Sequence, residues 1–258
     1  MTGRTTGGLT TAQIKLLAAA VMVLDHLRRF FGGPLWLTLA GRAALPLFLF
    51  AGAEACAHTH SPARRLLRLQ AAATATTALE LALMAVVPSQ VSLLPYRAFG
   101  ALFCAAAYSR VWDLLVQAVQ TRRARPALAA VGLACLPLTG VLAGGLAGAL
   151  DPGPARQALQ IAARLLPNLA LAEGGPAFVV LGVGFYLLRG TRAGQAALLL
   201  AFSAALLTQG EAVQAAMAWA ALPICLYNGR PGPALRRGFY LFYPAHLAAF
   251  YLLAAFLE

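Results

Sequence analysis

Five ionisable side chains interrupt the long hydrophobic runs of this sequence. They are Asp25, His26, Arg42, Arg97 and His246. Such a group is costly in a hydrocarbon environment, so its presence there indicates a functional site by default. A neutral histidine can take a proton from an attacking amine or hydroxyl and pass it on. These residue types predict acyl transfer or a proton relay, and a buried histidine bonded only to a backbone carbonyl is the third interpretation.

The composition indicates the element type that must hold these residues. Of the 258 residues, 60% are hydrophobic and 11% are charged, whereas a soluble domain has about a quarter charged residues. The apolar runs are long enough to cross a hydrocarbon layer of about 30 Å as helices, and they lack the alternation of barrel strands. The sequence therefore predicts an all-α, polytopic transmembrane helical bundle.

The hydrophobic runs predict about nine spans in one membrane-embedded domain over residues 1–258. We expect these spans over residues 14–31, 35–57, 66–87, 91–117, 127–150, 166–188, 193–209, 211–227 and 239–257. Residues 1–13 form a short tail before the first span. The longest polar connections are short, so the sequence predicts no separate soluble domain.

The distribution of basic residues predicts the orientation. If the N-terminus is cytoplasmic, thirteen basic residues lie on the inner side, namely Arg4, Lys15, Arg64, Arg65, Arg68, Arg122, Arg123, Arg125, Arg189, Arg192, Arg230, Arg236 and Arg237. Four lie on the outer side, namely Arg28, Arg29, Arg156 and Arg164. This asymmetry favours a cytoplasmic N-terminus. The net charge of +12 thus reflects topology, and without interleaved aromatic residues it does not indicate nucleic-acid binding.

Helical rise brings two of the ionisable residues to similar depths. Asp25 lies about 16 Å from the inner surface in the first span, and Arg42 lies about 10 Å below the outer surface in the second. Consecutive spans are antiparallel neighbours, so we expect an ion pair between these two residues. Because adjacent helical residues point about 100° apart, His26 is expected to face a cavity instead.

Other polar residues receive weaker assignments. The group His58, His60, Arg64, Arg65 and Arg68 has the charge to hold a phosphorylated cofactor on the inner side, although positive-inside loops look the same. Carboxylates near the predicted span ends are secondary candidates that could reach water, namely Glu54, Glu80, Asp113, Glu173 and Glu211. The four cysteines show no CxxC spacing, so no metal site is predicted.

Separated motifs in this chain resemble the TraX family, membrane proteins associated with N-terminal acetylation of conjugative pilin and similar to wider membrane acyltransferases. Near the start, the motif residues are Ile14, Lys15, Met22, Asp25, His26, Gly41, Arg42, Pro46, Phe48, Glu54, His58, Thr59, Arg68 and Leu69. Near the end, they are Tyr227, Asn228, Gly229, Gly232, Tyr240, Phe242, Tyr243, Pro244 and His246. Ala55 departs from the usual glycine of the family, and the fourth span offers Arg97 in place of the expected Asn and Thr.

The resemblance implies a membrane acetyltransferase that takes its acetyl group from acetyl-CoA. Its acceptor would be an amine, such as a pilin or peptide N-terminus, or a hydroxyl such as that of a glycan, at the bacterial inner membrane. His26 would be the general base, with Asp25, Arg42 and His246 as its catalytic partners. The remaining assignments are cofactor binding by His58, Arg64, Arg65, Arg68, Asn228 and Arg230, and substrate binding by Tyr243 and Arg97. The alternative is a proton-coupled transporter of a small molecule or anion that uses Asp25, His26, Arg42 and His246.

Overall fold

The computed structural model describes residues 7–93, 97–233 and 236–258, without the side chains of Arg236 and Arg237. Arg4 and those two side chains are among the thirteen basic residues assigned to the inner side, and they lie outside what the structure describes. Residues 94–96, inside the fourth predicted span, do so as well.

The described part of the chain is α-helical, apart from one isolated bridge between Leu9 and Tyr227. Its α-helices are α1 Thr11–Phe31, α2 Trp36–Gly41, α3 Ala44–Ala57, α4 Pro62–Val86, α5 Ala98–Thr121, α6 Ala124–Cys135, α7 Thr139–Gly148, α8 Pro154–Leu165, α9 Gly175–Leu187, α10 Arg192–Thr208, α11 Ala212–Ala215, α12 Ala221–Cys225 and α13 Arg236–Leu257. Two 3₁₀ segments, Leu136–Leu138 and Ala216–Ala220, connect α6 to α7 and α11 to α12.

Several of these helices have the length and composition of membrane spans. Within the described ranges, five helical stretches are long and apolar enough to cross a membrane, namely Trp36–Ala57, Pro62–Val86, Ala98–Thr121, Ala124–Gly148 and Gly238–Leu257. Three shorter apolar helices accompany them, namely Gly175–Leu187, Arg192–Thr208 and Ala212–Cys225. The chain is therefore an all-α protein with the features of a multi-pass membrane bundle, as the hydropathy predicts.

Helix α1 begins at a local sequence signal. The Thr10 side chain accepts from the backbone N–H of Gln13, and the Gln13 side chain accepts from the backbone N–H of Thr10. This reciprocal capping satisfies two of the donors that a helix start leaves without partners. At its other end α1 stops at Gly32, whose φ of 76° lies in the region that favours glycine.

The sixth predicted span, residues 166–188, is wrong over its first third. Within that predicted span only Gly175–Leu187 is helical. The residues that precede the span were expected to form a polar connection, but they contain the helix Pro154–Leu165. Helix α8 packs antiparallel on α7, because Ala163 lies beside Gly144 and Pro167 lies beside Gly140. Residues 166–174 form a break between α8 and α9, which we call the α8–α9 break.

Long-range hydrogen bonds determine where this break lies. Gly140 N–H donates to the Pro167 carbonyl over 2.9 Å, and Leu169 N–H donates to the Pro137 carbonyl over 2.8 Å. The Asn168 side chain accepts from the N–H groups of residues 170 and 171 and donates to the Ala163 carbonyl. Irregular backbone away from water needs such partners. The break is therefore held level with the middle of the Ala124–Gly148 stretch.

Helix α3 occupies the centre of the bundle and packs against α1, α5 and α9. Phe50 on α3 meets Phe185 on α9 edge to face, with ring centroids 6.0 Å apart. Edge-to-face aromatic pairs add stability beyond the area that they bury. The central packing therefore fixes α3, which starts directly after Arg42, relative to the surrounding helices.

Replacing Gly140 by alanine should destabilise the protein, whereas Gly145→Ala should not. A Cβ at position 140 would lie 2.7 Å from the Asn168 Cβ and 2.8 Å from the Pro167 carbonyl oxygen, but a Cβ at 145 meets nothing within 4 Å. We expect Gly140→Ala to lower the free energy of unfolding by about 1–3 kcal/mol, as measured by denaturant titration in detergent micelles. Equal stabilities of the two variants would contradict this packing.

Candidate functional site

The expected ion pair between Asp25 and Arg42 is confirmed. Arg42 Nη2 donates to both carboxylate oxygens of Asp25 over 3.0 Å. Arg42 Nη1 also donates to Gln214 Oε1 over 3.2 Å. The pair joins α1 to the bend between α2 and α3, and Gln214 ties this bend to α11. Sequence reasoning did not identify Gln214.

Gly41 permits the close approach on which this ion pair depends. A Cβ at position 41 would lie 2.3 Å from the Asp25 Cβ and 3.1 Å from its Cα. Only a residue without a side chain therefore fits between α1 and α2 at this level. The glycine-arginine motif thus has a structural reason, because Gly41 admits the helix that carries the partner of Arg42.

His26 and His246 meet directly, although 220 residues separate them in sequence. His26 Nδ1 and His246 Nε2 are 2.8 Å apart. The two side chains are buried, with 3% and 8% of their surface exposed. The structure thus brings together the two histidines that sequence reasoning assigned to the same site.

The hydrogen bonds of this pair define the tautomer of each neutral ring. His246 Nδ1 lies 2.9 Å from the Phe242 carbonyl oxygen, which can only accept, so Nδ1 of His246 carries the proton. Its Nε2 therefore accepts, and His26 Nδ1 donates to it. In neutral His26 the lone pair is consequently on Nε2, the nitrogen that can accept a proton.

Aromatic rings surround the histidine pair. Phe242 stacks on His246 with ring centroids 4.9 Å apart, Tyr243 lies at 5.7 Å and Phe250 at 6.0 Å. These rings restrict the orientation of the imidazoles and keep their surroundings apolar. Helix α13, which contains all three rings, therefore builds the environment of the histidine pair as well as supplying the partner of His26.

A cleft adjoins the histidine pair at Tyr243. Its lining combines polar and apolar residues of α4, of the start of α5, of the α8–α9 break and of α13. The polar lining residues are Gln70, Thr76, Thr77, Arg97, Arg164, Asn168 and Tyr243. Arg97 Nη1 donates to the Arg164 carbonyl over 3.0 Å, and the Tyr243 hydroxyl accepts from Ala98 N–H over 3.4 Å. The two residues assigned to substrate binding thus share one cleft.

Two carboxylates that the sequence named as secondary candidates lie near the cleft, and Glu80 does not reach water as expected. Glu80 has only 2% of its surface exposed, and Glu173 is half-buried in the α8–α9 break. Glu80 lies on the same face of α4 as Thr76 and Thr77 because residues three and four apart coincide on a helix. That polar stripe in an otherwise apolar span was the signal that could have identified Glu80.

Electrostatic interactions connect the two halves of the site. Glu173 interacts with Asp25, Arg29 and Arg42, and Glu80 interacts with Arg97 and with Glu173. Opposite charges attract strongly where little water screens them. Glu173 in the break therefore attracts Arg29 and Arg42 and repels Asp25 and Glu80, and its backbone N–H donates to the carbonyl of the cleft residue Arg97 over 3.5 Å.

The basic residues assigned to cofactor binding lie at the N-terminal end of the bundle, which we define by Thr11, His58 and Asn228. His58, Arg64, Arg68 and Arg230 are exposed there. Arg65 is half-buried and donates from Nη2 to the Gly52 carbonyl over 3.0 Å. Its Nε is buried without a hydrogen-bond partner among the described residues, so this guanidinium has the capacity to bind an anion.

Asn228 joins two segments of the chain at this end of the bundle. Its Nδ2 donates to the Gly8 carbonyl over 3.0 Å, and its Oδ1 accepts from Arg230 N–H over 2.9 Å. The backbone N–H groups of Thr11 and Ala12 donate to the carbonyls of residues 230 and 231. The loop before α13 is therefore hydrogen-bonded to the start of α1, and Arg230 is held beside that helix.

The sequence named Glu54 and Tyr227 but did not predict the buried cluster that they form with Arg192 and Gln195 beneath these hydrogen bonds. Arg192 donates to the Tyr227 carbonyl, and its guanidinium carbon lies 4.7 Å from the centre of the Tyr227 ring. The Tyr227 hydroxyl is 2.9 Å from Thr11 Oγ1. Glu54 is 8% exposed and accepts from Gln195 over 3.4 Å.

Comparison with known proteins identifies one family. The family described as TraX protein matches residues 10–150 and 155–254 of this chain. Neither the curated proteins nor the solved structures include a significant match. The family match covers both halves of the site, including α4 and the α8–α9 break.

Gly41→Ala should act on stability through the Asp25–Arg42 ion pair. The added Cβ must push α1 away from α2, which lengthens the ion pair. We expect a loss of about 1–3 kcal/mol in the free energy of unfolding, measured by denaturant titration in detergent. Gly132→Ala is the matched control, because a Cβ there meets nothing within 4 Å.

A double-mutant cycle separates this cause from general crowding. If Gly41 protects the ion pair, the Gly41→Ala and Asp25→Asn losses are not additive. Additive losses would contradict the role of Gly41.

Proposed function

This chain belongs to the TraX protein family, and from that premise we propose that it is a membrane acetyltransferase. It would move an acetyl group from acetyl-CoA to an acceptor amine, such as a pilin or peptide N-terminus, or to a hydroxyl. The observation that carries the proposal is the buried His26–His246 hydrogen bond of 2.8 Å. It leaves a basic nitrogen on His26 in a water-poor site, as general base catalysis requires.

We propose nine crossings of the bacterial inner membrane by a single domain with a cytoplasmic N-terminus. The crossings would be α1, α2 with α3, α4, α5, α6 with α7, α8 with α9, α10, α11 with α12, and α13. An odd number requires the two chain ends to lie on opposite faces. In support, Glu258 accepts from Ser89 over 2.8 Å beyond the far end of α4, while Leu9 bonds the loop before α13.

The residues at the N-terminal end fit the phosphates of acetyl-CoA. Arg65 keeps a buried Nε without a hydrogen-bond partner in the described ranges, and exposed Arg64, Arg68 and Arg230 flank the same end. His58 lies in the α3–α4 connection beside them. Guanidinium groups bind phosphates through several charge-assisted hydrogen bonds. When bound, acetyl-CoA supplies a thioester carbonyl that is susceptible to attack by a nucleophile.

His26 Nε2 would remove the proton from the acceptor amine or hydroxyl as the new carbon–nitrogen or carbon–oxygen bond forms. His26 would then return this proton to the thiolate that leaves as the carbon–sulfur bond breaks. His246 holds the other His26 nitrogen, and the Phe242 carbonyl holds His246, so the ring keeps one orientation throughout. Arg42, fixed by Asp25, would stabilise negative charge on the carbonyl oxygen or orient the substrate.

His26→Ala should slow acetyl transfer strongly without loss of cofactor binding. General base catalysis contributes about 10²–10⁴-fold to a rate, so we expect kcat to fall by a factor in that range. The measurement is transfer of labelled acetyl from acetyl-CoA to amine acceptors by purified protein. The control is His60→Ala, which changes an exposed histidine of the α3–α4 connection. Full activity of His26→Ala would exclude this mechanism.

Arg65→Ala should raise the KM for acetyl-CoA about tenfold, because a charge-assisted hydrogen bond to phosphate contributes roughly 1.5–3 kcal/mol. The kcat should change little, because Arg65 lies at the N-terminal end of the bundle and away from the histidine pair. Arg123→Ala, an exposed arginine at the start of α6, is the matched control. An unchanged KM would remove Arg65 from the cofactor site.

The interrupted α8–α9 element favours a second candidate function, a proton-coupled transporter of a small molecule or anion. Broken helices that hold charged residues are typical of transporter binding sites, and Glu173 lies in this break. The two functions differ in one experiment. Ion or substrate flux in liposomes that depends on His26, together with absence of acetyl-CoA binding, would favour the transporter.

A further inference from the structure

Arg42 has one buried donor that no described residue engages. Its Nη2 donates to both carboxylate oxygens of Asp25 over 3.0 Å, and its Nη1 donates to Gln214 Oε1 over 3.2 Å. Its Nε is buried and has no hydrogen-bond partner among the described residues. Leaving a buried donor without a partner is unfavourable. The Nε–H group is therefore available to an oxygen atom of a ligand.

Asp25 alone does not fix the direction of this donor. Both Asp25 oxygens accept from the single nitrogen Nη2, so the pair lacks the two-nitrogen fork that sets the plane of a guanidinium. A guanidinium held at one nitrogen can still rotate about that contact. The bond from Nη1 to Gln214 supplies a second fixed point. The direction of Nε therefore depends on Gln214.

Gln214 is itself anchored. Its Nε2 donates to the Met217 sulfur over 3.9 Å, and Met217 is fully buried. Met217 belongs to the 3₁₀ segment that follows α11, and Trp219 of the same segment donates from Nε1 to the Leu39 carbonyl of α2 over 3.3 Å. Helix α11 and the 3₁₀ segment are therefore attached to the element that leads into Arg42.

Arg42 lies near enough to His26 for both to act on one reacting group. The charge of Arg42 interacts with the His26 ring, and Asp25, which holds Arg42, precedes His26 in α1. When a base removes the proton of an attacking group, negative charge develops on the carbonyl oxygen under attack. A donor fixed in advance towards that oxygen stabilises the charge most where water is excluded. The buried Nε–H of Arg42 meets this requirement.

We propose that Gln214 is a positioning residue for acetyl transfer, and that it directs Arg42 Nε–H at the carbonyl oxygen of the thioester. This inference rests on the proposed function, which leaves open whether Arg42 stabilises charge or orients the substrate. It selects charge stabilisation through Nε. As the acceptor bonds to the carbonyl carbon, the π electron pair moves onto the oxygen, which accepts from Nε–H. The pair returns to the carbonyl as the carbon–sulfur bond breaks.

Gln214→Met should lower kcat roughly ten- to a hundredfold, because a small misplacement of a catalytic group costs up to about 10²-fold. Methionine keeps the length of the side chain but offers no oxygen to Nη1. The KM for acetyl-CoA should not change. Gln214→Glu keeps an oxygen at this position and should recover most of kcat. The measurement is transfer of labelled acetyl to an amine by the purified full chain in detergent. The matched control is Gln209→Met, which changes an exposed glutamine at the end of α10.

Combination with Arg42→Lys separates positioning from general support of the fold. Lysine retains the charge that Asp25 requires but lacks the Nε–H of a guanidinium. If Gln214 acts through Arg42, adding Gln214→Met to Arg42→Lys should lower kcat no further. A further loss by the same factor would overturn the proposal. So would a Gln214→Met enzyme with wild-type kcat, or one changed only in KM.

Nitrogen NMR of protein labelled at its arginine side chains tests the position of Arg42 without reference to activity. The Arg42 Nε–H resonance is identified by its absence from Arg42→Lys. Gln214→Met should shift or broaden this resonance, whereas Gln209→Met should not. An unchanged resonance in Gln214→Met overturns the inference, and an active wild type then leaves the proposed function in place. A wild type that neither binds acetyl-CoA nor transfers acetyl overturns the proposed function, and the resonance alone then supports or overturns the positioning of Arg42 by Gln214.

Discussion

The Asp25–Arg42 ion pair is the interaction on which the arrangement of the site depends. Either charge alone would be strongly unfavourable among apolar helices, so each residue requires the other. The pair fixes the rotation of α1 against the bend between α2 and α3, and Gly41 provides the necessary space. Once Asp25 faces Arg42, the next residue must point about 100° away. That direction leads to α13, where His26 meets His246.

Most of the helices could be predicted because hydropathy reports directly on burial in an apolar environment. The α8–α9 break could not, since it depends on contacts that no local pattern contains. Pro167 and Asn168 are held by Gly140 and Ala163, and the segment from residue 166 is apolar enough to read as the start of a span. The irregular backbone is stable because Pro137 and Gly140 of the Ala124–Gly148 stretch supply hydrogen-bond partners to it.

The sequence predicts those contacts of the site that depend only on how deep each residue lies along its helix. Depth placed Asp25 opposite Arg42, but it could not place His26 against His246, because the contact depends on how α1 and α13 pack. Depth was also misleading for Glu80, which was judged by its distance from a span end. Its burial instead follows from the helix face that it shares with Thr76 and Thr77, and from the residues packed over that face.

The Asp25 carboxylate and the His26 imidazole face different partners, and there is a chemical reason for this separation. A carboxylate beside an imidazole favours the imidazolium form, which has no lone pair to accept a proton. Asp25 is turned towards Arg42, whereas His26 contacts His246, which in turn contacts the Phe242 carbonyl and aromatic rings. The adjacent residues Asp25 and His26 therefore have different partners, since Asp25 neutralises the Arg42 cation and His26 donates from Nδ1 to a neutral imidazole.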